Sequence, residues 1–412
     1  MPSLVGSEMC IRDRYHAGPT RPLSVHAFYF SGWHATMNDS PPLSRRRFLR
    51  DTPAAGTLLA GGAVAAATTV SEAADVDRDP RKTLRVGALN LSVYSHLGAH
   101  WARLINGPMS YTGMRITHCW DINAESAKGF ARGIQATAVQ NFDDMLGKVD
   151  AVIDGGYYNH AFNHLLMAPY LKAGLPCLIN RPFANSVAKT REIIDLARKH
   201  KAQIRVPSAF GHNQVVTEAR HYAETSKISG YHATTGAEDY PTHGIHGLYF
   251  LSRAITDAGN PIVSVAQRAE HWHKPPAVLT FEHNDKEGRT FYGTLHSGNF
   301  GVGMLQIHTD KNGNGRPFTL SIGRGALYRD TGFWIPAIWA FQQMATSGQM
   351  PQSYDQVLMK QLAYMAGWRS HLVEKGQPGR LEDGPADWDA PVKLPQRPGE
   401  AAYYERFRKL FG

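Results

Sequence analysis

The sequence predicts an α/β protein in which a parallel-sheet domain is followed by an α+β domain with an open, mostly antiparallel sheet. The first observation is a βαβ unit, formed by a strand over 149–153, a helix from His160 and a strand over 177–179. The second is a run of strands with longer connections after residue 228. A length of 412 residues suits two such domains behind a removable leader.

The composition, with 42% hydrophobic and 19% charged residues, is typical of a soluble globular protein. The net charge of +9 could attract nucleic acid, but several arginines lie in the first fifty residues and would leave with a leader. We therefore predict no nucleic-acid partner, and no membrane association of the mature chain. Cys10, Cys119 and Cys177 lack metal-ligand spacing, and the last two lie in predicted buried strands and are interpreted as small apolar residues.

The N-terminus carries an export signal pattern. Residues 1–36 have no periodicity and are interpreted as a gene-model artefact, whereas residues 37–74 are typical of a twin-arginine signal peptide. That segment contains S-R-R-R-F-L-R over 44–50 and a moderately apolar run that ends in small residues near Ala73. We expect a mature chain that begins near Ala74 and works in the periplasm or another extracytoplasmic compartment. A disordered basic tail is the alternative.

The first domain is assigned to residues 80–210, where strand and helix patterns alternate. Its predicted strands are 84–89, 114–119, 149–153, 177–179 and 203–207. Its predicted helices are 95–105, 126–138, the segment from His160, and 189–199. Ligand sites in such folds lie at the carboxyl ends of the strands, where Asp154 and Asn180 stand.

The turn after the first strand lacks the glycine-rich G-x-G-x-x-G sequence that holds a pyrophosphate. Aligned on the strand, the three glycine positions fall on Asn90, Ser92 and Ser95, which are small and polar but carry a Cβ. We expect these three side chains to line a hollow of phosphate size.

Asp121 closes the second predicted strand, where an acidic residue would bind a ribose hydroxyl. Its side chain could instead cap the helix that starts near Ala124. The sequence leaves both roles open.

The second domain is assigned to residues 211–373. Its predicted strands are 228–234, 262–268, 277–282, 289–296, 304–308, 318–323 and 325–328. Its predicted helices are 214–223, 242–258, 336–344 and 354–373. Residues 374–412 are assigned to a C-terminal tail, of which 374–398 is rich in Pro, Gly and charge and is predicted to wrap the surface.

Residues from about Leu84 to Gln361 resemble the Gfo/Idh/MocA oxidoreductases. The resemblance rests on V-D-A-V-I over 149–153 with His160, on A-G-L-P-C-L-I-N-R-P over 173–182, and on Y-P-T-H-G-I-H-G over 240–247. It implies a Rossmann domain that binds NAD or NADP, and an open sheet that bears a carbohydrate site and pairs subunits into a homo-oligomer. The cofactor-binding residues would be Asn90, Ser92, Ser95, Asp121, Asp154 and Asn180.

Two further departures from the family pattern bear on the chemistry. The family's Glu-Lys-Pro is Asn180-Arg181-Pro182 here, and the family's lysine contacts nicotinamide and substrate. Arginine keeps its charge, so Arg181 is expected to orient an anion or polarise an oxygen rather than to shuttle a proton. The aspartate that precedes the family's histidine by four residues is replaced by Thr242.

His246 is the candidate general base, because imidazole titrates near neutrality and the helix start places it between the two domains. His243 precedes it by one helical turn and is assigned with Arg181 to the catalytic set. The alternative is structural, with His243 capping the helix and His246 hydrogen-bonded in the core. His160 is a weaker candidate of the same kind.

The second domain is rich in histidine and aromatic residues. No carboxylate or cysteine has diagnostic spacing beside these histidines, so a metal is permitted but none is assigned. Trp272, Trp334, Trp339 and the Tyr157-Tyr158 pair could stack on a sugar ring or fill the core. The histidines are His271, His273, His283, His296 and His308.

The resemblance favours an NAD(P)-dependent oxidoreductase that acts on a sugar or cyclitol. One alternative keeps the fold for non-redox carbohydrate chemistry, such as lyase, epimerase or glycoside-cleaving activity, to which Arg181 and the lost glycines are suited. Another is a non-catalytic sugar-binding protein.

Overall fold

The structure is a computed structural model. It describes residues 83–91, 95, 97–212, 214–235, 240–274, 276–298, 302–310, 317–323, 334–383, 388–392 and 399–412. The predicted leader (1–74), Ser92 and the predicted strand 325–328 lie outside these residues. No described helix is both long enough and apolar enough to cross a bilayer.

The N-terminal domain is built on a six-stranded parallel sheet. Its strands are β1 (Leu84–Leu89), β2 (Met114–Trp120), β3 (Thr137–Ala138), β4 (Ala151–Asp154), β5 (Cys177–Ile179) and β6 (Ile204–Arg205). They lie in the order β3, β2, β1, β4, β5, β6, which is the doubly wound Rossmann order. Leu89 pairs with both Trp120 and Asp154, so these three strand ends are level. The predicted parallel sheet is confirmed, and the order reverses at β1, where such folds bind ligands.

Several helices of this domain differ in length from the sequence prediction. They are a wide turn over Leu97–Trp101 that continues into α1 (Ala102–Ile105), then α2 (Ala124–Ile134), α3 (Asn163–Leu166), α4 (Ala168–Lys172) and α5 (Val187–Lys199). The helix predicted over 126–138 is wrong at its C-terminal end. It starts at Ala124, as the capping alternative for Asp121 assumed, and it stops at Ile134 because Gln135 has a φ of 57°. Thr137–Ala138 then pairs with β2 instead.

The C-terminal domain holds a seven-stranded sheet. Its strands are β7 (Ile228–Thr235), β8 (Ile262–Ala269), β9 (Ala277–Asn284), β10 (Thr290–Ser297), β11 (Val302–Thr309), β12 (Phe318–Gly323) and β13 (Gly379–Arg380). They lie in the order β12, β11, β7, β10, β9, β8, β13. Neighbours run antiparallel except β7 and β10, which are parallel, so the predicted mostly antiparallel sheet is confirmed.

Helices α6 (Gln214–Thr225), α7 (Ile245–Leu251) and α9 (Tyr354–Leu372) cover one face of this sheet. Wide turns over Tyr240–Gly244 and Ser252–Thr256 flank α7, and α8 (Ile335–Ser347) lies between α7 and α9 in the sequence. Helix α7 lies directly on the sheet, since a Cβ on Gly247 would stand 2.7 Å from a methyl carbon of Leu295. This close packing holds the helix that carries His246.

Helix α8 belongs to the core of the N-terminal domain. Trp334 stands edge-on to Trp101, with 5.6 Å between the ring centroids, and Gln342 donates to the carbonyl of Thr112 at 3.0 Å. The chain therefore returns to the first domain after completing most of the second sheet.

The predicted C-terminal tail, residues 374–412, contains two regular elements. Gly379–Arg380 forms β13 at the sheet edge beside β8, and Glu400–Phe411 forms a helix, α10. Because α10 is amphipathic, its apolar side packs against the first domain, where Phe407 is fully buried.

Candidate active site

Asn90 shapes the turn at the end of β1. Its φ of 62° is left-handed, a conformation that glycine adopts easily and that asparagine tolerates better than most other residues. Its side-chain amide donates to Asp154, which also accepts from Asn159 at 3.0 Å and from the Gly156 N–H at 3.1 Å. Burial raises the pKa of Asp154 to about 6, although the three donors lower it. The ends of β1 and β4 are thus tied together by a buried carboxylate.

Asp121 holds the loop that follows β2. One carboxylate oxygen accepts from the Leu91 N–H at 2.6 Å and the other from the Asn123 N–H at 2.7 Å. The helix cap proper is Asn123, whose side chain accepts from the Glu125 N–H. Asp121 therefore links the first turn to the end of β2, with its carboxylate at the expected ribose position.

The other predicted cofactor residues also bond to the backbone around these strand ends. The hydroxyl of Ser95 accepts from the Gly98 N–H at 2.9 Å. The amide of Asn180 donates to the carbonyls of Gly155 and Gly156, at 3.0 and 3.1 Å. The structure brings Asn90, Ser95, Asp121, Asp154 and Asn180 to one edge of the sheet.

In the G-x-G-x-x-G sequence, the third glycine lets the first helix pack close to the sheet. In this chain a glycine of the neighbouring strand, β4, has that role. A Cβ on Gly155, at the end of β4, would stand 2.7 Å from the side chain of Leu97. The first helix can therefore approach the sheet although Ser95 has a side chain.

Arg181 lies after β5 in a buried aromatic setting. Its guanidinium carbon stands 5.0 Å from the centroid of the Tyr157 ring. His160 is buried beside it, with Nδ1 3.2 Å from the Tyr157 carbonyl, and burial lowers the pKa of His160 to about 4. His160 is therefore neutral near pH 7 and has a structural hydrogen bond, which agrees with its weaker candidacy.

His246 is buried at the start of α7 and contacts the first domain. Its Nδ1 lies 2.9 Å from the hydroxyl of Ser208, in the loop after β6. Burial raises the pKa of Tyr249, one turn further along α7, well above its usual value, although the hydrogen bond from Gln361 and the charges of Arg205 and Arg181 lower it. The side chain of His243 lies outside the described atoms.

A buried charge cluster extends from Tyr249. It contains Lys360, whose ammonium lies 4.8 Å from the Tyr249 ring centroid and donates to Gln352. Gln352 donates in turn to Asp257, which also pairs with Arg253 at 2.9 Å. Burial lowers the pKa of Lys360 to about 7.

The C-terminal helix α10 lies across the ends of β1 and β2. The Tyr403 hydroxyl stands 3.3 Å from an Asp121 carboxylate oxygen and 3.4 Å from the Asn90 side-chain oxygen. Phe407 packs parallel to Phe162, with 5.8 Å between the ring centroids and an interplanar angle of 15°. The Tyr403 side chain of α10 therefore lies directly against Asp121 and Asn90.

Sequence reasoning missed Ser208, Asn159 and Tyr403. Ser208 and Asn159 follow the ends of β6 and β4, where binding residues were expected, so their positions were a usable signal. Tyr403, Phe407 and Phe411 recur every four residues, which is the pattern of a helix with one apolar face.

The described histidines of the second domain pack against other side chains. Among the described residues, no group of three or more His, Cys, Asp or Glu side chains could hold a metal ion. His283 lies in the core, where its ring stacks on Phe291 at 5.0 Å between centroids. His232 and His296 meet edge-on at 4.9 Å on the sheet face opposite the helices.

Comparison with known proteins found one matching family model. Residues 94–208 match the model of the Gfo/Idh/MocA family, described as an oxidoreductase family with an NAD-binding Rossmann fold. Together with the sheet order and the second domain, this match confirms the predicted resemblance to that family. No curated protein sequence matches the chain.

Solved structures share the fold at low sequence identity. The myo-inositol dehydrogenase of Lactobacillus casei, solved with NAD(H) and myo-inositol, is 14% identical with a TM-score of 0.59, over 78% of this chain and 99% of the other. The scyllo-inositol dehydrogenase of the same organism, solved with NAD(H) and scyllo-inositol, is 11% identical with a TM-score of 0.58, over 73% and 99%. GenD2 from gentamicin A biosynthesis, solved with NAD, is 14% identical with a TM-score of 0.57, over 74% and 97%. The predicted two-domain fold is confirmed.

Proposed function

We propose that this protein is an NAD(P)-dependent oxidoreductase that acts on a sugar or cyclitol. The observation that carries the proposal is the Asp121 carboxylate at the end of β2, beside the left-handed Asn90 turn and inside an NAD-binding Rossmann domain. The residues present suit a dinucleotide. Asp121 would bind the ribose, Asn90 and Ser95 would face the pyrophosphate, and Asn180 and Arg181 would lie on the nicotinamide side.

The bound dinucleotide would accept or return a hydride at a ring carbon of the substrate. The residues of this chain would bind the substrate and move its proton. His246 would accept the proton of the reacting hydroxyl through Nε2, since Ser208 holds Nδ1 on the other side of the ring. Arg181 would orient the substrate oxygen, held in place by the Tyr157 ring.

The first experiment is direct. The purified mature protein is denatured mildly, and released dinucleotide is measured by fluorescence and by enzymatic cycling. Oxidation of myo-inositol, scyllo-inositol and common sugars is then followed with added NAD or NADP, with His246→Ala as the control. Absence of binding and turnover for both dinucleotides would overturn the proposal.

Non-redox carbohydrate chemistry is the second candidate, and one observation favours it. Helix α10 stands over Asp121, and Arg181 replaces the family's lysine, so the site could serve a sugar without a dinucleotide. Turnover of a sugar or uronate without added or bound dinucleotide, abolished by His246→Ala, would support this candidate instead.

We also propose export by the twin-arginine route and assembly into a homo-oligomer. Export rests on the motif over 44–50, so Arg45→Lys with Arg46→Lys should keep the precursor in the cytoplasm. Assembly rests on the sheet face opposite the helices, where Tyr292 is 59% exposed. Tyr292→Glu should lower the oligomer mass measured by light scattering, whereas a mass equal to one chain for the unsubstituted protein would refute assembly.

A further inference from the structure

We propose that the C-terminal helix α10 occupies the adenosine half of the dinucleotide site and must move aside before a dinucleotide binds. The inference rests on the proposed function, and it adds a means of regulating that site. It follows from where the apolar side chains of α10 lie, from what they contact and from how weakly a helix of this length folds alone.

Tyr403 occupies the position expected of a ribose hydroxyl. Its phenol oxygen is 3.3 Å from a carboxylate oxygen of Asp121, at the strand end where a ribose would be held. The two oxygens of Asp121 already accept from the backbone N–H groups of Leu91 and Asn123, so their capacity for further donors is limited. Tyr403 and a ribose hydroxyl would therefore compete for this carboxylate.

Phe407 occupies the position expected of a flat base. Its ring is fully buried, stacked on Phe162 at 5.8 Å and edge-on to Trp120 at 6.3 Å. Phe411 extends the stack, at 5.9 Å from Phe162 and 5.5 Å from Phe142. A purine needs the same kind of slot, because it binds through its faces to aromatic and apolar side chains. The rings of Phe407 and a bound base cannot share that slot.

The helix has the properties of a displaceable segment. It spans only Glu400–Phe411, and an isolated helix of this length is marginal in water. Its other face is exposed and charged, with Glu405, Arg406, Arg408 and Lys409. Its position therefore depends on the aromatic contacts of one face, and loss of those contacts should release it.

The test compares dinucleotide affinity among four proteins by calorimetry with NADH and with ADP-ribose, which lacks the nicotinamide. Phe407→Ala removes the buried ring, Tyr403→Phe removes only the hydroxyl, and Lys409→Ala changes an exposed side chain of the same helix. If α10 covers the slot in at least about nine molecules in ten, release should tighten binding of both probes about tenfold or more. We expect that gain for Phe407→Ala, about threefold for Tyr403→Phe, and no change for Lys409→Ala.

The outcomes separate this inference from the proposed function. Binding that is equal in the unsubstituted protein and Phe407→Ala, or weaker in Phe407→Ala, would keep the oxidoreductase and overturn the occlusion. Binding in none of the four proteins would overturn both. Hydrogen exchange supplies a readout that needs no substitution: NADH should speed exchange of the amides of 400–411 in the unsubstituted protein. Slower exchange would mean that α10 closes over the bound cofactor, which contradicts the proposal.

Discussion

Ser208 of the N-terminal domain hydrogen-bonds the imidazole of His246 in the C-terminal domain, with 2.9 Å between Oγ and Nδ1. The two residues are 38 positions apart and belong to different domains. The bond therefore forms only when the domains pack together. It fixes the orientation of the ring. For Nε2 to accept a proton from a substrate, Nδ1 must carry the hydrogen and donate it to Ser208. Ser208 is therefore a positioning residue for the proposed base.

Ser208→Ala should lower kcat more than it changes KM, because the ring loses its fixed tautomer while the binding groups remain. We expect a fall of about tenfold, smaller than the 10²- to 10⁴-fold range typical of general acid–base groups that applies to His246→Ala. Ser208→Thr keeps a hydroxyl and is the matched control. Steady-state kinetics over a pH range measures this, and a Ser208→Ala enzyme with unchanged kcat and pH profile would contradict the assignment.

Lys360→Met should stabilise the protein near neutral pH. The folded pKa of Lys360 is lowered to about 7 from 10.5, chiefly by burial, so the unfolded chain binds the proton more tightly between those values. Stability must then rise with pH through that window, and the full cost of the buried charge applies below it. A pKa unit corresponds to about 1.4 kcal/mol, and the substitution also leaves the side-chain oxygen of Gln352 without its lysine donor. We therefore expect the free energy of unfolding to increase by on the order of 3 kcal/mol below pH 7.

Urea unfolding at several pH values checks this expectation. The advantage of Lys360→Met should shrink steadily from about pH 7 to above pH 10.5, where the lysine is neutral in both states. Lys199→Met, at an exposed position of α5, is the control and should show no such trend. A constant difference across the range would mean that the ammonium of Lys360 is not penalised by burial.

Asn90→Gly and Asn90→Ala should separate backbone strain from the loss of a hydrogen bond. Both remove the donor to the buried Asp154, which should cost about 1–3 kcal/mol and raise the pKa of that carboxyl further. Alanine adds strain at a φ of 62°, so Asn90→Ala should be about 1 kcal/mol less stable than Asn90→Gly. Equal stability of the two variants by thermal unfolding would show that the turn does not impose a left-handed residue.

The strand pattern of the first domain could be predicted because its signals are local. Buried parallel strands are short apolar runs bounded by glycine or polar residues, and Leu84–Leu89 and Cys177–Ile179 were predicted with the bounds that the structure has. The position of Asp121 followed from the same rule, since strand ends collect binding residues.

Other features could not be predicted, because they depend on contacts between residues that are distant in the sequence. The helix predicted over 126–138 fails because Thr137–Ala138 gains ladder bonds to β2, which no helical propensity records. The Ser208–His246 bond depends on domain packing, so no sequence spacing reports it. The apolar repeat at 403, 407 and 411 was visible, but its docking site on Trp120 and Phe162 was not.

His283→Gln should make the protein less sensitive to mild acid. The imidazole of His283 is buried with Nδ1 2.9 Å from the Asn260 carbonyl and Nε2 2.9 Å from the Tyr231 hydroxyl. Burial lowers its folded pKa to about 4 from 6.5, so the unfolded chain takes up the proton first as the pH falls. Stability is therefore lost between these values, by on the order of 3 kcal/mol for this one residue.

Glutamine can keep both hydrogen bonds, because its amide donates to Asn260 and its carbonyl accepts from Tyr231. It cannot titrate, and it loses the stacking on Phe291, so His283→Gln should be less stable at neutral pH yet fall less steeply from pH 6.5 to 4. His160, whose pKa is also lowered to about 4 by burial, remains in the variant and should preserve part of the slope. Denaturant unfolding at closely spaced pH values measures both slopes. His283 is buried between Tyr231 and Asn260, which should keep its ring neutral in the folded protein. Identical slopes would contradict this, because they would mean that His283 is already protonated or solvated in the folded protein.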